Sequence, residues 1–299
     1  MSCLLLGVLL SVFINVFGHR VLVFAPEETT AFNYFERIGI PEAERLRAAE
    51  EAYLNSNTNR IVGGRPTNKN EIPYQAGLVI EFGGNDGRRG VCGASLLSST
   101  RLVTAAHCWY DGTNQANLYT VVLGSTLLFS GGTRVQTSNV VTHPDWDPSM
   151  IRNDVAVIKL NQAVVLSDSI KPIALPSGSQ LQEDYSGSQA TVSGFGKISD
   201  SAGVSTGQFL SNVKVDVAQN FWCSVIFPSV FQDSNICTSG IGGKGPCGGD
   251  SGGPLVVPSD NANILIGIVS FGSAAGCSRG LPSAFTRVTS FMDFIQENL

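Results

Sequence analysis

The chain has 299 residues and a formal net charge of −5, with 14% charged residues, 43% hydrophobic residues and 33 glycines. This length allows one large or two medium domains with ample core. The acidic balance and the lack of a basic stripe exclude a nucleic-acid partner, and low charge with many glycines suits a loop-rich all-β domain better than a helical one.

Leu4 to Phe17 is a short apolar run ending in Val16-Phe17-Gly18, which reads as a secretory signal peptide over residues 1–18. It is too short for a membrane span, and no other stretch is long and apolar enough, so no membrane partner is expected. Of seven cysteines, Cys3 leaves with the leader. Cys92, Cys108, Cys223, Cys237, Cys247 and Cys277 remain, and an even count in a secreted chain implies three disulfides, with 15 pairings open. Zinc is the competing use of cysteine, but there is no CxxC pair and only two histidines lie beyond residue 60. No metal and no cofactor are expected.

Residues 19–60 contain no cysteine and carry a helical patch, Pro41 to Leu54, with proline at a plausible first helical position and strong helix formers behind it. A polar linker, Asn55 to Asn59, leads to Arg60. This segment is either an ordinary helical extension or a pro-segment with a cleavable hinge. From Ile61 onward the texture changes to short β-rich runs. They are Tyr74–Glu81, Ser95–Thr104, Tyr119–Gly124, Val135–Thr142, Val155–Leu160, Ala190–Gly194, Val213–Val217, Pro254–Val257, Ile264–Phe271 and Ala284–Val288. Ser290–Leu299, with Phe291, Phe294 and Ile295 at helical spacing behind Thr289 and Ser290, reads as a terminal helix.

Three stretches carry chemistry. Cys247-Gly248-Gly249-Asp250-Ser251-Gly252-Gly253-Pro254 sets one serine among four glycines. A serine hydroxyl needs a base to become a nucleophile, and neighbouring N–H groups could hold an oxyanion. A tight glycine turn would explain this stretch alone. Thr104-Ala105-Ala106-His107-Cys108 ends an apolar run on a histidine, and Asn153-Asp154-Val155-Ala156 opens another on an aspartate. Either alone is usually structural. Together they stand in the order His…Asp…Ser, whereas two other serine-triad folds read Asp…His…Ser and Ser…Asp…His.

With Arg60-Ile61-Val62-Gly63-Gly64, these motifs resemble the chymotrypsin-like (trypsin-fold) serine proteases over Ile61 to Leu299. The resemblance implies two six-stranded antiparallel Greek-key β-barrels with a C-terminal helix, their boundary near residues 175–185, preceded by a short helical pro-segment. It implies His107, Asp154 and Ser251 as the catalytic triad and the N–H groups of Gly249 and Ser251 as the oxyanion hole. It pairs Cys92 with Cys108, Cys223 with Cys237 and Cys247 with Cys277, which leaves no cysteine to tether residues 19–60. Cleavage at Arg60–Ile61 by a trypsin-like protease would free an amine that pairs with Asp250. Ser270, Phe271 and Gly272 would pair with the substrate backbone.

In the same alignment the base of the specificity pocket falls at Gly245, with Gly272 and Ser283 on its wall. Trypsin-like enzymes carry an aspartate at the base. Without a carboxylate, a cationic side chain would be buried unpaired, so large apolar or aromatic residues are expected before the scissile bond. Elastase-like or collagenolytic specificity is the alternative, and an inactive binding homologue is a third reading. Between Asp111 and Asp145 there is no Asp or Glu, so no calcium loop is expected. Runs such as Ile38–Ala43, Asn235–Gly240 and Ala284–Phe291 are similar to lepidopteran larval midgut chymotrypsins. The expected protein is therefore a secreted monomeric digestive endopeptidase of the gut lumen. Its partners would be protein substrates, an activating protease and protein protease inhibitors.

Overall fold

The computed structural model describes residues 12–16, 19–55, 70–84, 87–201, 210–259 and 262–299. The expected cuts after Gly18 and at Arg60–Ile61 lie outside them. The strands are β1 (Val12–Val16), β2 (His19–Val23), β3 (Gln75–Phe82), β4 (Arg89–Ser98), β5 (Arg101–Thr104), β6 (Ala116–Leu123), β7 (Thr133–Thr137), β8 (Val140–Thr142), β9 (Ala156–Lys159), β10 (Gln189–Gly194), β11 (Ser211–Ala218), β12 (Asn235–Thr238), β13 (Pro254–Val257), β14 (Ile264–Phe271) and β15 (Ser283–Arg287). Among the described residues, three α-helices accompany them: α1 (Ile40–Asn55), α2 (Asn220–Ile226) and α3 (Met292–Glu297).

The second half closes into a six-stranded antiparallel barrel, in the order β10-β11-β12-β15-β14-β13. The first half is a curled seven-stranded sheet, β7-β6-β3-β4-β5-β9-β8. Its two edges are consecutive in the chain. The run Val135–Thr142, which reads as one strand in sequence, breaks at Ser138-Asn139, so that β7 pairs with β6 and β8 pairs with β9. The Thr137 hydroxyl donates to the Lys159 carbonyl at 2.7 Å, and Lys159 N–H donates to the Asn139 carbonyl at 2.9 Å, closing the gap. An edge that would otherwise invite pairing with another chain is thereby sealed.

Other departures from the sequence pattern have local causes. The run Ser95–Thr104 is two strands, because the chain turns at Ser99-Thr100 and β5 folds back on β4. β4 starts earlier than its apolar core suggests, since Arg89, Gly90 and Gly93 look like turn residues yet pair with β3. β12 is only four residues, all buried, and was hidden by its length. α2 is rich in aromatic and β-branched residues, poor helix formers in isolation, and is pinned by the Cys223–Cys237 bridge. The terminal helix proper begins after Phe291, and no side chain at Thr289 or Ser290 caps it.

The largest core runs from the first sheet to α3 and includes Tyr34, Phe35, Ile40, Ala43 and Leu46 of the N-terminal segment. This segment is therefore packed into the body rather than appended to it. α1 buries Ala43, Leu46, Ala49 and Glu50, spaced three and four apart, against the sheet. Fully burying a side chain such as Leu46 stabilises by about 1.5–3 kcal/mol. The Glu50 carboxylate accepts N–H bonds from Leu128 and Phe129, so it anchors the far end of α1. A π-helical turn, Phe35–Gly39, precedes α1; such turns are rare and concentrate at functional sites. Disulfides join Cys92 to Cys108, Cys223 to Cys237 and Cys247 to Cys277, each of a loop length worth roughly 3 kcal/mol through the unfolded state.

Candidate active site

β5 ends at Thr104, and the chain enters a single 3₁₀ turn, Ala106–Cys108, that sets His107 at the end of the sheet with no solvent exposure. Thr104 pairs with Ala156 of β9, so Asp154, just ahead of that strand, reaches the same edge. The loop before it is forced into shape by two left-handed residues, Ile151 (φ 53°) and Asn153 (φ 57°). His107 Nδ1 lies 2.7 Å from Asp154 Oδ2, and His107 N–H donates to Asp154 Oδ1 at 2.9 Å. The Ser270 hydroxyl donates to the same carboxylate at 2.6 Å. Burial pushes the Asp154 carboxyl up. The His107 charge and these hydrogen bonds outweigh it and hold the group below the usual carboxylate range.

Ser251 comes from the second half of the chain, on a loop clamped to both sheets. Gly93 N–H donates to the Ser251 carbonyl at 2.7 Å, and Gly252 N–H donates to the Val269 carbonyl at 2.9 Å. Two glycines are required here. Gly249 has φ 99° and Gly252 φ 79°, and a Cβ on Gly252 would strike the Thr104 hydroxyl and the Gly93 carbonyl. Gly252→Ala should therefore cost several kcal/mol, of order 3 from strain and overlap together. A thermal midpoint unchanged from wild type would refute that packing argument.

The family described as Trypsin matches residues 61–295. This chain belongs to the trypsin family of serine proteases. The collagenase of Hypoderma lineatum is 40% identical over 240 residues, covering 80% of this chain and 87% of that protein. The brachyurin of Leptuca pugilator is 41% identical over 241 residues, covering 79% and 97%. The solved structure of HL collagenase matches with a TM-score of 0.70 at 40% identity, covering 80% of this chain and 98% of that one. The trypsin-family chain is thus a serine endopeptidase acting on protein substrates, and its three disulfides suit an oxidising, extracellular setting.

In this trypsin-family protease the residues expected at the specificity pocket converge. A Cβ on Gly245 would stand 3.3 Å from Ser283 Oγ, and one on Gly272 would stand 3.5 Å from the same atom. Ser283 and Gly272 line a cavity of about 270 Å³ beside Ser251. Gly245 instead borders a neighbouring cavity of about 280 Å³ that reaches Asp250, so its absent side chain matters as backing to Ser283 rather than as exposed floor. Phe271 and Gly272 lie on the wall of the first cavity. Ser270, expected to pair through its backbone, spends its side chain on Asp154.

Three residues of the site were missed in the sequence. Asp200 joins the cavity wall, where its carboxylate accepts N–H bonds from Cys277 at 2.8 Å and Ser278 at 2.9 Å. Tyr34 is fully buried against His107, its ring 4.8 Å from the imidazole, edge to face. Its hydroxyl donates to the Val91 carbonyl at 2.8 Å, and Tyr34 and Ser251 line the same cavity. His107 Nε2 is buried without a partner among the described residues. Glu42 lies beside Gly248 and Gly249 and pairs with Lys197 at 2.7 Å and Arg45 at 2.7 Å. Nothing in a single sequence links residues 34 and 42 to a loop more than 200 positions away.

Asp250 is buried, and its carboxylate accepts N–H bonds from Gly196 at 2.8 Å and Cys247 at 2.9 Å. Burial raises it to about 6; the two N–H bonds oppose this, and nearby Glu42 adds to it. His143, the other histidine beyond residue 60, packs on Phe291 and Phe294 and takes no part in the site. The cluster Cys92, His107 and Cys108 has its two sulfurs joined in a disulfide, so it offers no thiolates to a metal.

Proposed function

We propose that His107, Asp154 and Ser251 are the catalytic residues of this peptidase, acting by the acyl-enzyme route. Ser251 Oγ attacks the scissile carbonyl carbon as His107 Nε2 takes its proton. The tetrahedral oxyanion lies on the N–H groups of Gly249 and Ser251. His107 returns the proton to the leaving amine, and water then repeats the sequence to release the acid. Asp154 keeps the Nδ1 proton in place and stabilises the imidazolium. The carrying observation is the buried His107 with Nδ1 on Asp154 and Nε2 unpartnered.

We also propose that residues 1–18 are a signal peptide, 19–60 a pro-segment and 61–299 the secreted protease. Cleavage at Arg60–Ile61 by a trypsin-like protease would free an amine for Asp250. The cavity of about 280 Å³ bordered by Asp250 gives that amine room. An organophosphonate should label Ser251 after this cleavage and leave the intact chain unlabelled; labelling unaffected by cleavage would refute the activation route.

For specificity we propose large apolar and aromatic residues before the scissile bond, as in midgut chymotrypsins. The uncharged Gly245, Gly272 and Ser283 support it, and so does the commitment of the Asp200 carboxylate to two backbone N–H groups. The collagenase and brachyurin relatives favour a second, collagenolytic reading. Peptides differing only in that residue decide between them. Phe and Leu should exceed Arg by about 100-fold or more in kcat/KM, the expected cost of an unpaired buried cation. An Arg preference would overturn the pocket argument, and efficient cleavage after every residue type would favour the collagenolytic reading.

A further inference from the structure

The N-terminal segment crosses the cleft as a peptide substrate would and stops short of being one. Glu28 to Thr30 runs antiparallel to Gly272–Ala274: Thr30 N–H donates to the Gly272 carbonyl at 3.0 Å, and Ala274 N–H donates to the Glu28 carbonyl at 2.8 Å. Gly272 N–H is taken by the Thr30 hydroxyl at 2.9 Å. This is strand addition to a sheet edge, the way extended peptides are captured. Beyond Ser251 the chain continues to Phe35, whose N–H donates to Asp111 at 2.8 Å.

Between these anchors the geometry denies hydrolysis. Asn33 takes the left-handed conformation (φ 48°), and Tyr34 is already helical (φ −55°, ψ −46°). The backbone is not extended where a scissile bond would lie. What meets Ser251 is a phenol, not a peptide carbonyl. His107 Nε2 has no hydrogen-bond partner among the described residues, so nucleophile and base are uncoupled while the Tyr34 ring packs on the imidazole. Arg37 locks the crossing by donating to the carbonyls of Glu27, Thr29 and Phe32. None of these contacts involves Ile61 or its amine.

We propose that residues 24–55 are an inhibitor in their own right: a cleft-binding, uncleavable peptide that stays bound after the Arg60–Ile61 bond is cut. The proposal rests on the catalytic reading of His107 and Ser251 given above. Activation then takes two events, bond scission and departure of the segment. Because no disulfide joins residues 24–55 to the rest, the second event is reversible and depends on concentration.

The full-length precursor is cleaved with trypsin, scission is followed on a gel, and hydrolysis of a small Phe ester is read before and after dilution from ~10 µM to ~10 nM, a range that spans a moderate Kd. Wild type should be almost fully cut yet largely silent when concentrated. Specific activity should rise at least about 10-fold on dilution, with a lag, as the fragment leaves. Tyr34→Ala, which empties a fully buried site, should weaken retention by on the order of 100-fold or more. Its activity should track scission at either concentration. Arg37→Ala, which leaves the cleft contacts in place but unlocks the crossing, should act in the same direction.

Activity in step with scission at every concentration, equal in wild type and both variants, overturns the proposal. The size-exclusion profile of the cut protein decides independently of activity. A fragment containing residues 24–55 should co-elute with the protease, and its immediate loss from wild type also overturns the proposal. If the cut, diluted and fragment-free enzyme is silent, the catalytic reading fails instead, and co-elution still settles whether the segment binds.

Discussion

Ser251→Ala, cleaved at Arg60–Ile61 and freed of its N-terminal fragment, is expected to lose about 10⁶ in kcat, and His107→Ala about as much. The double variant should be no worse than either single one. A serine without its base is not a nucleophile, and a base without its serine has no proton to take, so the two losses describe one event. Asp154→Asn should cost on the order of 10⁴, because an amide cannot hold the Nδ1 proton as the carboxylate does. The Ser270 hydroxyl, 2.6 Å from Asp154 Oδ2, adds to the same support, and its removal should cost far less. Steady-state kinetics on a Phe ester measure each value. Additive losses for Ser251 and His107 would mean that the two act separately and would break the proposed mechanism.

What the chain revealed unaided divides along a physical line. His107, Asp154 and Ser251 were legible because each sits in a short motif whose residues are fixed by local demands: a strand end, a left-handed loop and a glycine turn with two positive φ values. Strands with full apolar runs, such as β13 and β14, were found to the residue. Those whose pairing rests on small residues, such as β4 with Gly90 and Gly93, were not, since their partners and not their propensities make them strands. The seventh strand of the first sheet exists only because one extended run must serve two neighbours. Tyr34 and Glu42 were invisible for a stronger reason. Their roles arise from long-range docking, and the helix that carries Glu42 looks in sequence like any amphipathic helix.

The chain in this structure buries the Asp250 carboxyl on two N–H bonds that do not outweigh its desolvation, and Asp250→Asn exposes the cost. Asp250 titrates near 6 in this structure instead of 3.8, chiefly because it is buried. A carboxyl raised in the folded state gives its full stability below the unfolded pKa and loses it as pH rises through the folded one. Between about pH 4 and pH 7 the precursor should therefore lose about 3 kcal/mol through this group, two units at roughly 1.4 kcal/mol each. Asp154, held low, acts with the opposite sign over its own range. The quantity to measure is therefore the stability of wild type minus that of Asp250→Asn, by denaturant unfolding of the precursor at both pH values. That difference should fall by about 3 kcal/mol from pH 4 to pH 7; a constant or rising difference sinks the argument. On the proposed activation route the consequence reverses after cleavage. The new amine needs an anion, and the neutral asparagine gives it none. Asp250→Asn, cut normally, should keep less than about 1% of wild-type kcat/KM, the loss expected when a desolvated charge pair forfeits one partner. The same substitution thus relieves the silent form at neutral pH and disables the working one, and full activity in the cut variant would remove Asp250 from the switch.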